Sequence, residues 1–140
     1  MSTLLGAVNA AASALDAQRA RMEVAVSNLA NAESTRGADG QPYRRREVVL
    51  ETESGDSFSG RIQAAGVRVA EVVEDQAPFR RRFEPSHPDA DAGGFVAVPN
   101  VDVPEEMVNM LGAARAYQAN LTAIGLIRET VQKALELAKS

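Results

Sequence analysis

Asp102-Val103-Pro104-Glu105-Glu106-Met107 opens a stretch that runs without another proline to Ser140. It reads as the start of a long helix. Asp102 is a capping residue, Pro104 fits the first turn, and Glu105 stands where a capping-box acid would. From there Met107, Met110, Ala114, Tyr117, Leu121, Ile124, Arg128, Val131, Leu135 and Ala138 follow at alternating steps of three and four. That spacing draws one seam along one side of a helix, the side that packs on another helix. Only Arg128 is neither apolar nor aromatic. At 1.5 Å per residue such a helix is roughly 50 Å long. A helix of that length in a chain of 140 residues needs a partner.

The first thirty residues supply a matching pattern. Leu5, Val8, Ala12, Leu15, Arg19, Met22, Val26 and Leu29 repeat the three-four alternation, again with one arginine in the seam. Ser2 or Thr3 serves as a cap, and the many alanines favour helix. The helix is expected to end near Asn28 to Asn31, since Asn tolerates helix-terminal conformations. Two such helices form either an intramolecular hairpin of no particular role or part of a larger assembly. Leu111, Leu126, Ile127 and Leu137 lie off the C-terminal seam and widen its apolar surface. Two helices cannot bury all of that on each other.

Between the helices the composition changes. Residues 36–101 hold most of the glycine, nearly all the proline and all the phenylalanine. Pro42–Leu50, Gly66–Val72, Phe79–Phe83 and Phe95–Val98 read as short strands, with period-two alternation clearest in the second. Ser54–Gly60 reads as a mobile loop, and Pro85–Gly94 as a run of turns. The expected fold class is α+β. Long N- and C-terminal helices pair as an antiparallel coiled coil and carry a small β-rich insert, giving segments 1–35, 36–101 and 102–140.

Bulk chemistry excludes much. The formal net charge is −4, and there is no cysteine, no tryptophan and one histidine. Disulfides, thiolate metal sites and nucleophilic or zinc catalysis have almost no material. Nothing suggests nucleic acid, a small-molecule substrate or a cofactor. No stretch approaches the roughly 20 apolar residues of a membrane span, and the N-terminus lacks the basic region of a cleaved leader. His87, in Ser86-His87-Pro88-Asp89, reads as part of a turn. The carboxylates Glu105 and Glu106 read as solvated acids at a helix start. Two basic runs, Arg44-Arg45-Arg46 and Arg80-Arg81-Arg82, read either as contacts to an acidic partner or as charges that protect strand edges.

One set of motifs carries a resemblance. Ser27-Asn28-Leu29-Ala30-Asn31-Ala32-Glu33-Ser34-Thr35 resembles the signature that ends the N-terminal helix of flagellar axial proteins, the rod, hook and hook-associated family. Gln18–Met22, Gly40–Arg46 and His87–Val96 are similar to the proximal rod branch of that family. The most specific match is Val98-Pro99-Asn100-Val101-Asp102 through Met110, continuing Ala113–Leu121 with Tyr117, Gln118 and Asn120. The resemblance implies a structural subunit of the bacterial basal-body rod, located in the periplasm and exported by the flagellar type III apparatus without a cleaved signal peptide. Its partners would be copies of itself and other rod proteins, its terminal helices would line the tube, and it would be no enzyme. The expected assembly residues are Leu5, Val8, Leu15, Met22, Val26 and Leu29 with Met107, Met110, Tyr117, Leu121, Ile124, Val131 and Leu135. Asn28, Asn31 and Asn120 serve either as local caps or as intersubunit hydrogen bonds. Arg19 and Arg128 either meet a neighbour's acid or lay their stems across the seam. The competing readings are a soluble cytoplasmic adaptor or chaperone and, more remotely, a peptidoglycan-cleaving enzyme.

Overall fold

The computed structural model describes residues 2–53 and 66–139. The expected loop at Ser54–Gly60 and the side chains of the two candidate caps at the N-terminus lie outside that description. Six elements follow in the order α1 (Ser2–Ala30), β1 (Arg46–Glu53), β2 (Gly66–Glu74), β3 (Arg80–Phe83), β4 (Phe95–Val98) and α2 (Val103–Leu137). The class is α+β, with two long terminal helices around a small insert of strands. β1 pairs with β2 and β3 with β4, in two separate two-stranded sheets. The start of α2 is capped as expected: the Glu105 N–H donates to Asp102 Oδ1 at 3.2 Å, and the Glu106 N–H to the Asp102 carbonyl at 3.0 Å.

The chain divides into two compact units, and each long helix contributes to both. The first unit takes Met1–Ala20, Val49–Glu71 and Gly112–Ser140. The early part of α1 is thus grouped with the late part of α2, which gives the helices their antiparallel sense. Within this unit Ser13 is the tie between helix and strand. Its Oγ donates to the Ala10 carbonyl at 2.9 Å and accepts the Val67 N–H at 3.0 Å. Arg68 pairs with Glu51 across the strands. Among the described residues of this unit, Ala17 and Ala113 are the buried apolar ones.

The second unit takes Arg21–Val48 and Val72–Leu111. β3 and β4 are antiparallel in the register Arg80↔Val98 to Phe83↔Phe95. β4 alternates as a half-buried strand must: Val96 and Val98 are buried, Phe95 and Ala97 exposed. β2 does not hold its expected alternation throughout. Val67, Val69 and Val73 are covered and Arg68 and Val72 exposed, in phase with one another, but between them Ala70 is covered and Glu71 exposed. Ala25, Ala32, Val96, Val98, Pro99 and Val101 make up the buried apolar set among the described residues.

The buried line on each helix is displaced by one position from every second rung of the expected seam. In α2, Met110, Tyr117, Ile124 and Val131 are half-buried, whereas Met107, Ala114, Leu121, Arg128 and Leu135 are exposed. Glu106, Ala113, Asn120 and Ile127 take the inward places instead. In α1 the half-buried rungs are Val8, Leu15, Met22 and Leu29, and the exposed ones Leu5, Ala12, Arg19 and Val26. Alanine takes three of the buried positions, Ala17, Ala25 and Ala113. Both seam arginines stand on exposed rungs.

Gly94 fixes the turn before β4. Its φ is +76°, and a Cβ there would lie 3.0 Å from Phe83 Cε2 and 3.1 Å from Pro85 Cγ. Phe83 packs edge-on to Phe95 at 5.2 Å between centroids, so the ring has little room to yield. Gly94→Ala is expected to lose about 2 kcal/mol from the left-handed backbone alone, with the ring clash added. Gly40 has a similar φ of +78° but open space around it, so Gly40→Ala isolates the backbone part. Urea titrations of the two variants measure the difference.

Candidate functional site

The sequence of the second unit converges on one polar node. Asn28 arrives on the last turn of α1 and Glu106 on the first turn of α2, and both are buried, at 0% and 2% exposure. Asn28 Nδ2 donates to Glu106 Oε2 at 3.0 Å and to the Arg46 carbonyl at 2.9 Å. Its Oδ1 accepts the Arg46 N–H at 2.9 Å and the Tyr43 hydroxyl at 2.9 Å. Two donors and two acceptors are all that an amide side chain has. Asn28 thus engages both backbone groups of Arg46, as a neighbouring strand would.

Asn100 takes the backbone N–H one residue earlier. Its Oδ1 accepts the Arg45 N–H at 2.9 Å, and its Nδ2 reaches the carbonyls of Asp75 at 3.2 Å and Ala77 at 3.3 Å. The Arg45 carbonyl accepts the Asp75 N–H at 2.8 Å. The backbone of Arg45–Arg46 is therefore held from both sides before β1 begins its ladder.

The second carboxylate oxygen of Glu106 takes Arg45 Nε at 2.6 Å. Glu47, Asp75 and Glu105 lie within 3.6–3.7 Å of the same guanidinium. Burial works against the charge on Arg45, and the Glu106 hydrogen bond with the surrounding carboxylates outweighs it, so its pKa rises above the ordinary arginine value. A buried ion pair is stable only when its remaining hydrogen-bonding groups are met, and Asn28 completes Glu106.

Glu106 is where the reading of solvated acids at the helix start fails. Glu105 is exposed, whereas Glu106 is buried. A signal was available: Glu106 sits four and seven residues before Met110 and Ala113, on the inward face. The run itself is used within the chain. Arg44 lies 4.3 Å over the Phe79 ring, and Arg46 lies near Tyr43 and Glu74.

Other motif residues have local roles. Asn31 Nδ2 donates to the Ser27 carbonyl at 2.8 Å, closing the end of α1, and Asn120 Nδ2 to the Ala116 carbonyl at 3.0 Å. Pro99 and Val101 are buried, Tyr117 half-buried, Ala30 and Gln118 exposed. His87 sits in a turn, with its N–H bonded to the Glu84 carbonyl and its Nδ1 accepting the Asp89 N–H at 3.1 Å. Among the described residues no acid and histidine cluster could hold a metal ion, and no helix is long and apolar enough to cross a membrane.

Asp91 organises the turn that ends at Phe95. The Phe95 N–H holds its carboxylate below the ordinary aspartate range against the opposing effect of desolvation, and the Gly93 N–H and Arg81 add to this. Ionised Asp91 therefore stabilises the fold above its unfolded pKa of about 3.9, and that contribution is lost as pH falls through the lower folded value. Asp91→Asn is expected to be less stable than the parent at neutral pH. The gap should close as pH falls below about 4, as read by urea midpoints across a pH series.

The node is a scaffold of hydrogen bonds around one buried ion pair. A family model described as flagella basal body rod protein matches residues 8–38. A second, described as flagellar basal body rod FlgEFG protein C-terminal, matches residues 92–137. The flagellar basal-body rod protein FlgC of Salmonella typhimurium is 47% identical over 136 residues, covering 97% of this chain and 98% of the relative. FlgC of Bacillus subtilis is 41% identical over 150 residues, covering 98% and 99%. FlgC of Borreliella burgdorferi is 36% identical over 149 residues, covering 96% and 97%.

Proposed function

The chain belongs to the FlgC family of flagellar basal-body rod proteins, and from that membership we propose that it is a structural subunit of the proximal rod. It is exported by the flagellar type III apparatus. In the periplasm it polymerises through its terminal helices with copies of itself and with other rod proteins. It transmits torque by many side-by-side contacts and catalyses no reaction.

Identity at nearly half of all positions over nearly the whole chain carries this reading. The helices support it. Leu5, Val26, Met107, Leu121 and Leu135 are 41–63% exposed, which leaves alternate rungs of both seams available to neighbours. Val8, Leu15, Met22, Leu29, Met110, Tyr117, Ile124 and Val131 form the flanking, half-buried part of the same surfaces. Beyond Leu111, Ala113 is the one buried residue of α2 among the described residues. Most helical stability comes from packing an amphipathic face, so such a helix gains its main support on assembly. Contacts between unlike faces whose rotation does not close build a helical tube.

Fractionation tests the proposal. A tagged chain is expected in purified basal bodies, and its deletion is expected to abolish swimming. A chain confined to the cytoplasm and absent from basal bodies would overturn the reading in favour of the adaptor.

A further inference from the structure

The second basic run is spent within the chain. Arg81 pairs with Asp91 at 2.7 Å, and Arg82 with Glu33 and Glu84 at 2.6 and 3.1 Å. Arg80 gives an N–H to the Val101 carbonyl at 3.2 Å. On α2, Lys133 pairs with Glu129 at 2.8 Å. Arg128 differs. It is exposed, and among the described residues it has no carboxylate partner. It stands on a line of exposed rungs seven residues apart, between Leu121 and Leu135, which are 41% and 53% exposed. A charge is costly to desolvate without an opposite one. Whatever covers this line must therefore bring an acid to Arg128.

The early part of α1 carries a line of the same spacing. Leu5 is 63% exposed, and Ala12 and Arg19 follow at seven-residue steps, also exposed. Asp16 comes four residues after Ala12 and so lies on the same side of the helix. It is exposed, with no basic partner among the described residues. The other acid of α1, Glu23, is engaged within the chain, as is Arg19. Glu136 is no rival to Asp16: it directly follows Leu135 and so points about 100° away from the α2 line. Glu53 and Glu71 stand on strands, which offer a helix line no matching ridge.

The lean of the side chains selects direction and register. Each helical side chain tilts toward the N-terminus of its own helix. In an antiparallel pair, side chains one turn apart across the contact tilt toward each other; in a parallel pair both tilt the same way. With Ala12 set against Arg128, the small residue admits the arginine stem. The guanidinium then leans to the level of Asp16, and the carboxylate leans back to meet it. The same register sets Leu5 against Leu135 and the stem of Arg19 against Leu121.

We propose that the exposed line of α1 in one copy packs antiparallel on the exposed line of α2 in a neighbouring copy, with Leu5 against Leu135 and Asp16 paired with Arg128. The inference rests on the rod reading for the copies being held side by side. The two lines are unlike, so each copy offers one to the neighbour on either side and the contact runs head to tail.

The chain has no cysteine, so introduced cysteines report the register. Leu5→Cys and Leu135→Cys in one chain are expected to give a ladder of disulfide-linked copies in oxidised basal bodies. Leu5→Cys with Leu121→Cys, about four turns away, is expected to give none. Charge exchange supplies the second reading. In Arg128→Asp and in Asp16→Arg the amount of chain in basal bodies is expected to fall about tenfold, from loss of a charge-assisted pair. The double exchange is expected to restore it. Circular dichroism of each purified variant is expected to match the parent, since both positions are exposed. A ladder from the Leu121 pair, no link from the Leu135 pair, no loss in the single exchanges, or a double exchange no better than the single ones would overturn the proposal. The parent chain would still be found in basal bodies, so the rod reading would stand. A parent chain missing from basal bodies would overturn the rod reading and this contact with it.

Discussion

Asn28→Ala is expected to destabilise the second unit by about 4 kcal/mol, more than the 0.5–3 kcal/mol of most substitutions. The change removes one side chain but leaves three groups without a partner, Glu106 Oε2 and the Arg46 N–H and carbonyl, and takes from the Tyr43 hydroxyl one of its two partners, Ser27 Oγ at 3.3 Å being the other. A buried polar group left unsatisfied costs about 1–3 kcal/mol, and local relaxation recovers part of the total. Asn28→Asp keeps the shape but brings a second carboxylate to about 3 Å from Glu106, where like charges in a buried setting repel strongly. Adding Glu106→Gln to Asn28→Asp restores a donor opposite the new carboxylate, and the double variant is expected to be more stable than Asn28→Asp alone. Urea unfolding of the four chains closes a double-mutant cycle. Additive effects would show that the two residues do not meet.

Leu121→Asp is expected to do the reverse, leaving the subunit folded while abolishing assembly. Leu121 is 41% exposed, so its replacement changes monomer stability little by the standard of surface sites. Between subunits the same change replaces an apolar anchor, whose full burial contributes about 1.5–3 kcal/mol, with a charge that must be desolvated without a partner. The defect recurs at every copy. Swimming is expected to be lost, with the chain still exported. Ala113→Asp is the contrasting variant. Ala113 is fully buried, and a carboxylate there should prevent folding of the first unit. Retained motility in Leu121→Asp would remove α2 from the assembly surface.

The comparison of sequence and structure separates what periodicity can carry from what it cannot. Both long helices, the cap at Asp102 and the strands at Phe95–Val98 and Arg80–Phe83 were legible, because each depends on local spacing and local hydrogen bonds. The inward face of the helices was legible only to within one position. Met107 and Leu121 are more apolar than Glu106 and Ala113, so a hydrophobicity pattern selects them, whereas Glu106 and Ala113 are the buried pair. The node was half legible. Asn28 and Asn100 stood out as motif residues, but their shared function, holding the backbone of Arg45–Arg46, joins positions 72 residues apart in a chain whose spacing says nothing of that contact. Glu106 was misread because a buried acid looks like any other helix-start acid until its arginine is placed beside it. Arg80–Arg82 resembled Arg44–Arg46 in sequence and differs only in which carboxylates the fold brings near.

The account turns on alternate rungs of the helices facing neighbours, and site-specific photocrosslinking measures that face directly. A photoreactive residue is placed at Leu5, Leu121 or Leu135, with Ala113 as the buried control, and basal bodies are purified after irradiation. The account predicts crosslinks from the three exposed rungs to copies of the chain or to adjoining rod proteins, and at most an intrachain product from Ala113. Incorporated subunits that give no intersubunit crosslink from any exposed rung would contradict it.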